Sequence, residues 1–253
     1  MLVCQYFVWF MLYSVIGWVY ESIYCSIQQR QLVNRGFLNG PLCPIYGAGA
    51  ILVLFLFRSL QNPALIFIAG ALATGVLEYV TSWLMEKLFH ARWWDYEDWR
   101  FNLHGRVCLA GVAAFGAMSV ILIKGIHPLV AVLTSRMAPG AVGATAGVLL
   151  LLLLVDTAIT TMRLLKLNEK LKQVHQHVIA RIGESRLHAE TMKKSVEEGI
   201  ASLKTNGIAS QMRELVQRLT KRDRRMLRSF PRFQSTRYGD VVDKLKEVLR
   251  GSK

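Results

Sequence analysis

Charge is scarce in the first 162 residues of this 253-residue chain, which hold 9 Lys and Arg and 7 Asp and Glu, with long uncharged runs between them. A water-soluble domain of this size has too little interior to hide such runs, so a simple soluble enzyme is excluded. Signatures of common chemistries are missing as well. There is no HExxH, no G-x-S-x-G and no Cys/His spacing suited to a metal, and His175 and His177 stand two apart in a helical pattern, on different faces. No cofactor and no metal is expected. The sequence also lacks a phosphate-cradling G-x-x-x-x-G-K-S/T run, so any ATPase belongs to a separate subunit. The glycine clusters at Gly47 to Gly49 and Gly140 to Gly147 have no such lysine, and close helix packing explains them.

Five apolar segments fill the first part: Leu2 to Tyr20, continuing to about Ile27; the shorter Leu42 to Phe57; Ala64 to Met85; Val107 to Ile123; and Ala138 to Met162. A spanning helix needs roughly 20 apolar residues to cross about 30 Å of hydrocarbon. The first segment lacks a basic leader and a small-residue cleavage site, and is read as a span rather than a signal peptide. The expected fold is therefore all-α, a polytopic bundle of about five transmembrane helices. Lys and Arg concentrate in alternate connections: Arg30 and Arg35, then Lys87, Arg92, Arg100 and Arg106, then the 22 of residues 163–253. Positive loops stay in the cytoplasm, which places the N-terminus outside and the tail inside. Cys25, Cys43 and Cys108 then lie near the reducing side, and no disulfide is expected.

Charges inside hydrocarbon cost about 2.5–3.5 kcal/mol each and mark functional positions by default. Glu21, Glu78 and Asp156 all fall in the cytoplasmic half of their helices under this orientation. Helical spacing puts Ser14, Gly17, Glu21 and Cys25 on one stripe and Thr74, Glu78, Thr81 and Ser82 on another, each suited to facing other helices. Arg35 and Arg106 are the expected partners of the two glutamates. The loops on the same side supply Asn34, Asn39 and Tyr46, then Trp94, Asp95, Tyr96 and Asn102. Snorkelling explains a glutamate near a helix end, and interfacial anchoring explains a single Trp or Tyr. Anchoring alone does not explain two carboxylates, two arginines, two asparagines and a WWDY run on one side, so a shared polar site is expected there.

The same segments show a weak repeat. Gly17 to Ser22 resembles Gly75 to Tyr79, and Phe37 to Gly47 resembles Phe101 to Gly111, with Gly40 over Gly105 and Cys43 over Cys108. Such a pattern predicts two helical hairpins running in the same sense with a site between them. These residues, above all the NRGFLNGPLCPIYG stretch, Gly17-Trp18 with Glu21, Glu78-Tyr79 with Thr81-Ser82, and WWDY followed by Asn102, Gly105 and Arg106, resemble a family of bacterial membrane proteins described as putative ABC transporter permeases (putative ABC-transporter type IV). The resemblance covers about Phe7 to Gly111. It implies a multi-pass, permease-like protein of the bacterial cytoplasmic membrane.

Beyond Met162 the composition turns basic, with 22 basic against 10 acidic residues. The chain thus divides into a transmembrane helical domain, residues 1–162, and a basic helical cytoplasmic tail, residues 163–253. Leu164, Leu167, Leu171, Val174 and Val178 form a short a/d seam. Further amphipathic runs follow at Met192, Val196, Ile200 and Leu203, and at Met212, Leu215, Val216 and Leu219. Basic residues from Lys221 to Arg225, followed by Met226, Leu227, Phe230 and Phe233, suit anionic lipid headgroups. The expected partners are the bilayer, those headgroups, a separate ATPase subunit and a second copy of the chain; nucleic acid is not expected. Transport through a polar solute- or ion-binding or gating site is the leading function. The alternatives are a membrane-embedded enzyme acting on a lipid headgroup or nucleotide-like substrate at the inner face, and a scaffold anchored by its helices.

Overall fold

The computed structural model describes residues 2–191 and 219–251. Its first hairpin pairs α1 (Leu2–Gln29) with α2 (Pro44–Phe57), and its second pairs α3 (Pro63–Phe89) with α4 (Leu109–Ile121). A π turn at Leu122–Ile126 joins α4 to α5 (His127–Ser135) in one apolar helical rod, and the 53-residue α6 (Pro139–Thr191) follows. Among the described residues four stretches are long and apolar enough to cross a membrane, namely α1, α3, the α4–α5 rod and Pro139–Gln173 of α6; α2 is a shorter apolar helix. The protein is an all-α polytopic bundle. The α4–α5 rod, the fourth of the five segments expected from the sequence, extends past the expected end at Ile123. Pro128 cannot donate to a carbonyl one turn back, and the π turn absorbs the mismatch, with the His127 amide donating to the Leu122 carbonyl. Lys124, expected in a connection, therefore sits within the helix and donates to Gln61 Oε1 at 3.1 Å.

The shortness of α2 has a geometric cause. Loop 1, residues 30–43, does not turn at the end of α1 but runs back along it. The Val33 amide donates to Ser26 Oγ at 2.9 Å, the Arg35 amide to Ser22 Oγ at 3.1 Å and the Cys43 amide to the Ser14 carbonyl at 3.0 Å. Ser26 to Ser14 is about 18 Å of helix axis. The loop thus completes much of the return path, and fourteen helical residues finish it. Non-helical backbone at such depth survives only where protein covers it. Leu38 and Leu42 are buried with Met11 of α1, packed against Leu149 and Leu153 of α6.

The second hairpin repeats the plan. Loop 3, residues 90–108, carries the two-residue strands β1 (Ala91–Arg92), β2 (Asn102–Leu103) and β3 (Val107–Cys108), with β2 and β3 paired antiparallel. Cys43 stands at the N-cap position of α2, without a side-chain cap bond, and Cys108 at that of α4, where its sulfur accepts the Gly111 amide, in the positions the weak repeat aligns. Small residues let each pair of helices touch. A Cβ on Gly47 would collide with Ser14 Oγ and the Phe10 carbonyl, and one on Gly70 would collide with Ser119. The sequence stripes face inward, with Ser14, Gly17 and Cys25 buried on α1 and Thr74, Glu78 and Ser82 buried on α3.

Residues 219–251 fold back onto the loops. They form α7 (Lys221–Ser229), β4 (Gln234–Ser235) and α8 (Gly239–Gly251), and β4 pairs antiparallel with β1 of loop 3. Thr220 and Asp223 close a capping box at the start of α7. Leu227, Phe230, Phe233, Val242 and Leu245 share one core with Trp93 of loop 3 and with Leu164, Leu167 and Leu171 of α6. Those three leucines are the first members of the expected seam, and the boundary drawn after Met162 falls inside α6. The runs at Met192 to Leu203 and Met212 to Val216 lie outside the described residues.

Gly47→Val is expected to lower the thermal unfolding midpoint in detergent, at a cost of about 1–3 kcal/mol or more from overpacking. Gly143→Ala, whose added Cβ meets nothing within 4 Å, does not lower that midpoint, since alanine is the better helix former.

Candidate functional site

Loop 1 returns directly over the polar end of α1. Glu21 Oε1 accepts from Arg35 Nε at 3.2 Å, and the Cys43 thiol donates to Glu21 Oε2 at 3.5 Å. Trp18 Nε1 donates to Asn34 Oδ1 at 2.8 Å, pinning the start of the loop to the same helix. Tyr46 follows one turn into α2, lies against Gly17 and meets the rings of Tyr20 and Phe115 at 6.3 and 5.9 Å. The Arg35 guanidinium also donates to the Ser229 carbonyl and lies 4.3 Å from the centre of the Phe230 ring, so the C-terminal unit completes its surroundings.

In the second hairpin Glu78 is buried, at 5% exposure. Its Oε1 accepts from the Tyr96 hydroxyl at 3.2 Å, while Oε2 has no hydrogen-bond partner among the described residues. Burial first, then the nearby Glu78 carboxylate, pushes the Tyr96 phenol above its ordinary range; Glu21 adds to the effect, so Tyr96 stands within the field of both glutamates and remains a donor. Several further bonds tie loop 3 to itself. The Asp95 carboxylate accepts the Glu97 amide at 2.9 Å, Asn102 Oδ1 accepts the Gly105 amide at 2.9 Å, and Trp94 Nε1 donates to the Arg106 carbonyl at 3.0 Å.

Arg106 does not pair with Glu21 or Glu78 as expected. It meets Glu86 at 2.9 Å, and Arg92 meets the same oxygen at 2.9 Å. Gly105, at φ +66°, turns the β2–β3 hairpin so that Arg106 points at the last turns of α3, eight residues or about 12 Å beyond Glu78.

A third cluster anchors the tip of loop 1 on α6. Asp156 Oδ1 accepts from the Asn39 amide at 3.1 Å and from Asn39 Nδ2 at 2.8 Å, and Oδ2 accepts from the Gly40 amide at 2.8 Å. Thr160 and Arg163 contact the Asn39 side chain at 2.7 and 3.0 Å, and Arg225 of α7 donates to the Leu38 and Asn39 carbonyls at 2.9 and 3.3 Å. The structure thus gathers Glu21, Arg35, Tyr46, Glu78 and Tyr96 around the joint between the hairpins. Asn34 and Asn39 hold loop 1, and Trp94, Asp95, Asn102 and Arg106 hold loop 3.

The family model of the proteins described as Putative ABC-transporter type IV matches residues 8–161, more than half of the chain. The chain belongs to this family. No curated protein and no solved structure matches it. The family match spans both hairpins and the membrane half of α6, and all eleven candidate residues of this Putative ABC-transporter type IV member lie within it. Arg163 and Arg225, which grip Asn39 and its carbonyl, lie beyond it.

Sequence reasoning missed Glu86, Thr160, Arg163 and Arg225, and named no partner for Asp156. Thr160 stands four residues after Asp156, on the same helical face, which was a usable sign. Arg225 offered none, because its partner is 186 residues away.

Asp156→Ala leaves two loop amides without their acceptor, a loss of about 2 kcal/mol or more for charge-assisted bonds. Hydrogen exchange at the Asn39 and Gly40 amides is expected to rise at least about ten-fold, with the exchange of α3 amides unchanged.

Proposed function

We propose that this protein is the membrane-embedded component of an ABC-type transporter, and that its polar cluster holds a polar solute or ion or gates its passage. The observation that supports the reading is the pair of re-entrant loops, which carry ionisable groups against Glu21 and Glu78 between apolar helices. Broken paths of this kind give a solute polar contacts at membrane depth that an unbroken helix does not offer. Membership of an ABC-transporter family points to an ATPase partner. Because the sequence has no phosphate-cradling loop, that ATPase is a separate subunit. The distribution of Lys and Arg supports placing the N-terminus outside a bacterial plasma membrane and the basic tail in the cytoplasm, beside anionic headgroups and any ATPase.

Purification from native membranes in mild detergent, with the tail tagged, is expected to bring down an ATPase subunit in fixed ratio. Glu78→Gln and Glu21→Gln are expected to insert at normal levels yet abolish the transport that the intact protein supports; unchanged transport in both discards the shared site. A reporter fused after Ser135 should appear outside and one after Lys253 inside, and the reverse pattern inverts the orientation.

A further inference from the structure

A cavity of about 280 Å³ opens between α1, α2, α3 and the α4–α5 rod, close to the lower limit of the roughly 300–1,000 Å³ range of small-molecule pockets. Its walls are apolar and aromatic, including Tyr20, Tyr46, Phe115 and Met118. Glu78 is its one acidic lining residue, and no Lys, Arg or His lines it. Glu78 lines this space, and its buried Oε2 has no hydrogen-bond partner among the described residues. The neighbouring carboxylates differ in kind. Glu21 has Arg35, and Glu86 has both Arg92 and Arg106. Among the described residues Glu78 has only the Tyr96 hydroxyl, so the one acidic group of the cavity has no counter-charge beside it.

The ligand this arrangement fits follows from its chemistry. An anion meets a like charge in a poorly screened space. An inorganic cation would exchange its water for one carboxylate, a few hydroxyls and aromatic walls. Among the described residues no three His, Cys, Asp or Glu converge to replace that water. A neutral apolar molecule fills the walls but leaves the carboxylate uncompensated. A single positive charge on an apolar body satisfies both parts, with the charge on Glu78, cation–π contact with the tyrosines, and the body against the apolar wall.

We propose that the cavity binds a small organic monocation, a quaternary or protonated amine with an apolar or aromatic body, and that Glu78 is its counter-ion. The proposal names a solute class for the site described above, and rests on that reading only for its place in transport. The arginine-rich end of the cluster then serves to hold the loops rather than the solute.

The test uses the full-length chain in lipid nanodiscs, titrated calorimetrically with benzyltrimethylammonium and with its neutral isostere neopentylbenzene. Saturable binding of one cation per chain is expected in the wild type, at least about ten-fold tighter than the isostere. In Glu78→Gln the cation is expected to weaken by at least about ten-fold while the isostere is unchanged. No saturable cation binding, equal binding of cation and isostere by the wild type, or equal cation affinity in both proteins overturns the proposal. The wild-type comparison stands even where the variant fails to fold. No ATPase is present and nothing is moved, so failure here leaves the transport reading intact; binding that persists in a protein shown not to support transport removes that reading and leaves the site.

Discussion

The Asp156 carboxylate, which receives the amides of Asn39 and Gly40, is the interaction on which the rest of the arrangement depends. A loop that runs back into a bundle brings unpaired amides with it, and hydrocarbon offers them no water. One acidic side chain on α6 takes up the tip of the loop. With the tip fixed, Arg35 falls beside Glu21, Cys43 stands at the N-cap position of α2 and Tyr46 settles on Gly17. A charge that looks expensive by insertion scales is therefore matched by the polar backbone it accommodates.

The two hairpins solve the same problem with different materials. In the first, the loop is held by a neighbouring helix; in the second, by its own short strand pair and by the Asp95 and Asn102 side chains. The difference shows in their carboxylates. Loop 1 delivers an arginine to the glutamate at its base. Loop 3 turns its arginines toward Glu86 and leaves a tyrosine for Glu78. A near-symmetric scaffold thus carries an asymmetric pattern, with an arginine beside one glutamate and none beside the other.

The helices were legible because apolar length and small-residue stripes are local properties of the chain. Their ends were less so. A π turn at Leu122–Ile126 carries the α4–α5 rod past Lys124, which charge alone marks as a boundary. The Glu21–Arg35 pair was legible because only fourteen residues and a tight return separate them. The Arg106–Glu86 pair was not, since it turns on the backbone conformation of Gly105. The basic segment from Lys221 to Arg225 has the composition of a lipid-facing stretch, yet Arg225 spends hydrogen bonds on loop 1 carbonyls. Composition cannot foresee a contact that depends on the chain folding back across nearly its whole length.

Arg35 sits at the meeting point of these pieces. Its guanidinium is divided among Glu21 of the first helix, the Ser229 carbonyl at the end of α7 and the face of Phe230. The first helix and the C-terminal unit therefore share one side chain of loop 1. The segment that closes α7 touches the same guanidinium that pairs with Glu21, and the two ends of the chain meet in one side chain. The first ion pair of the bundle is in this sense built from three parts of the sequence, and its surroundings are complete only once the C-terminal unit has folded onto the loops.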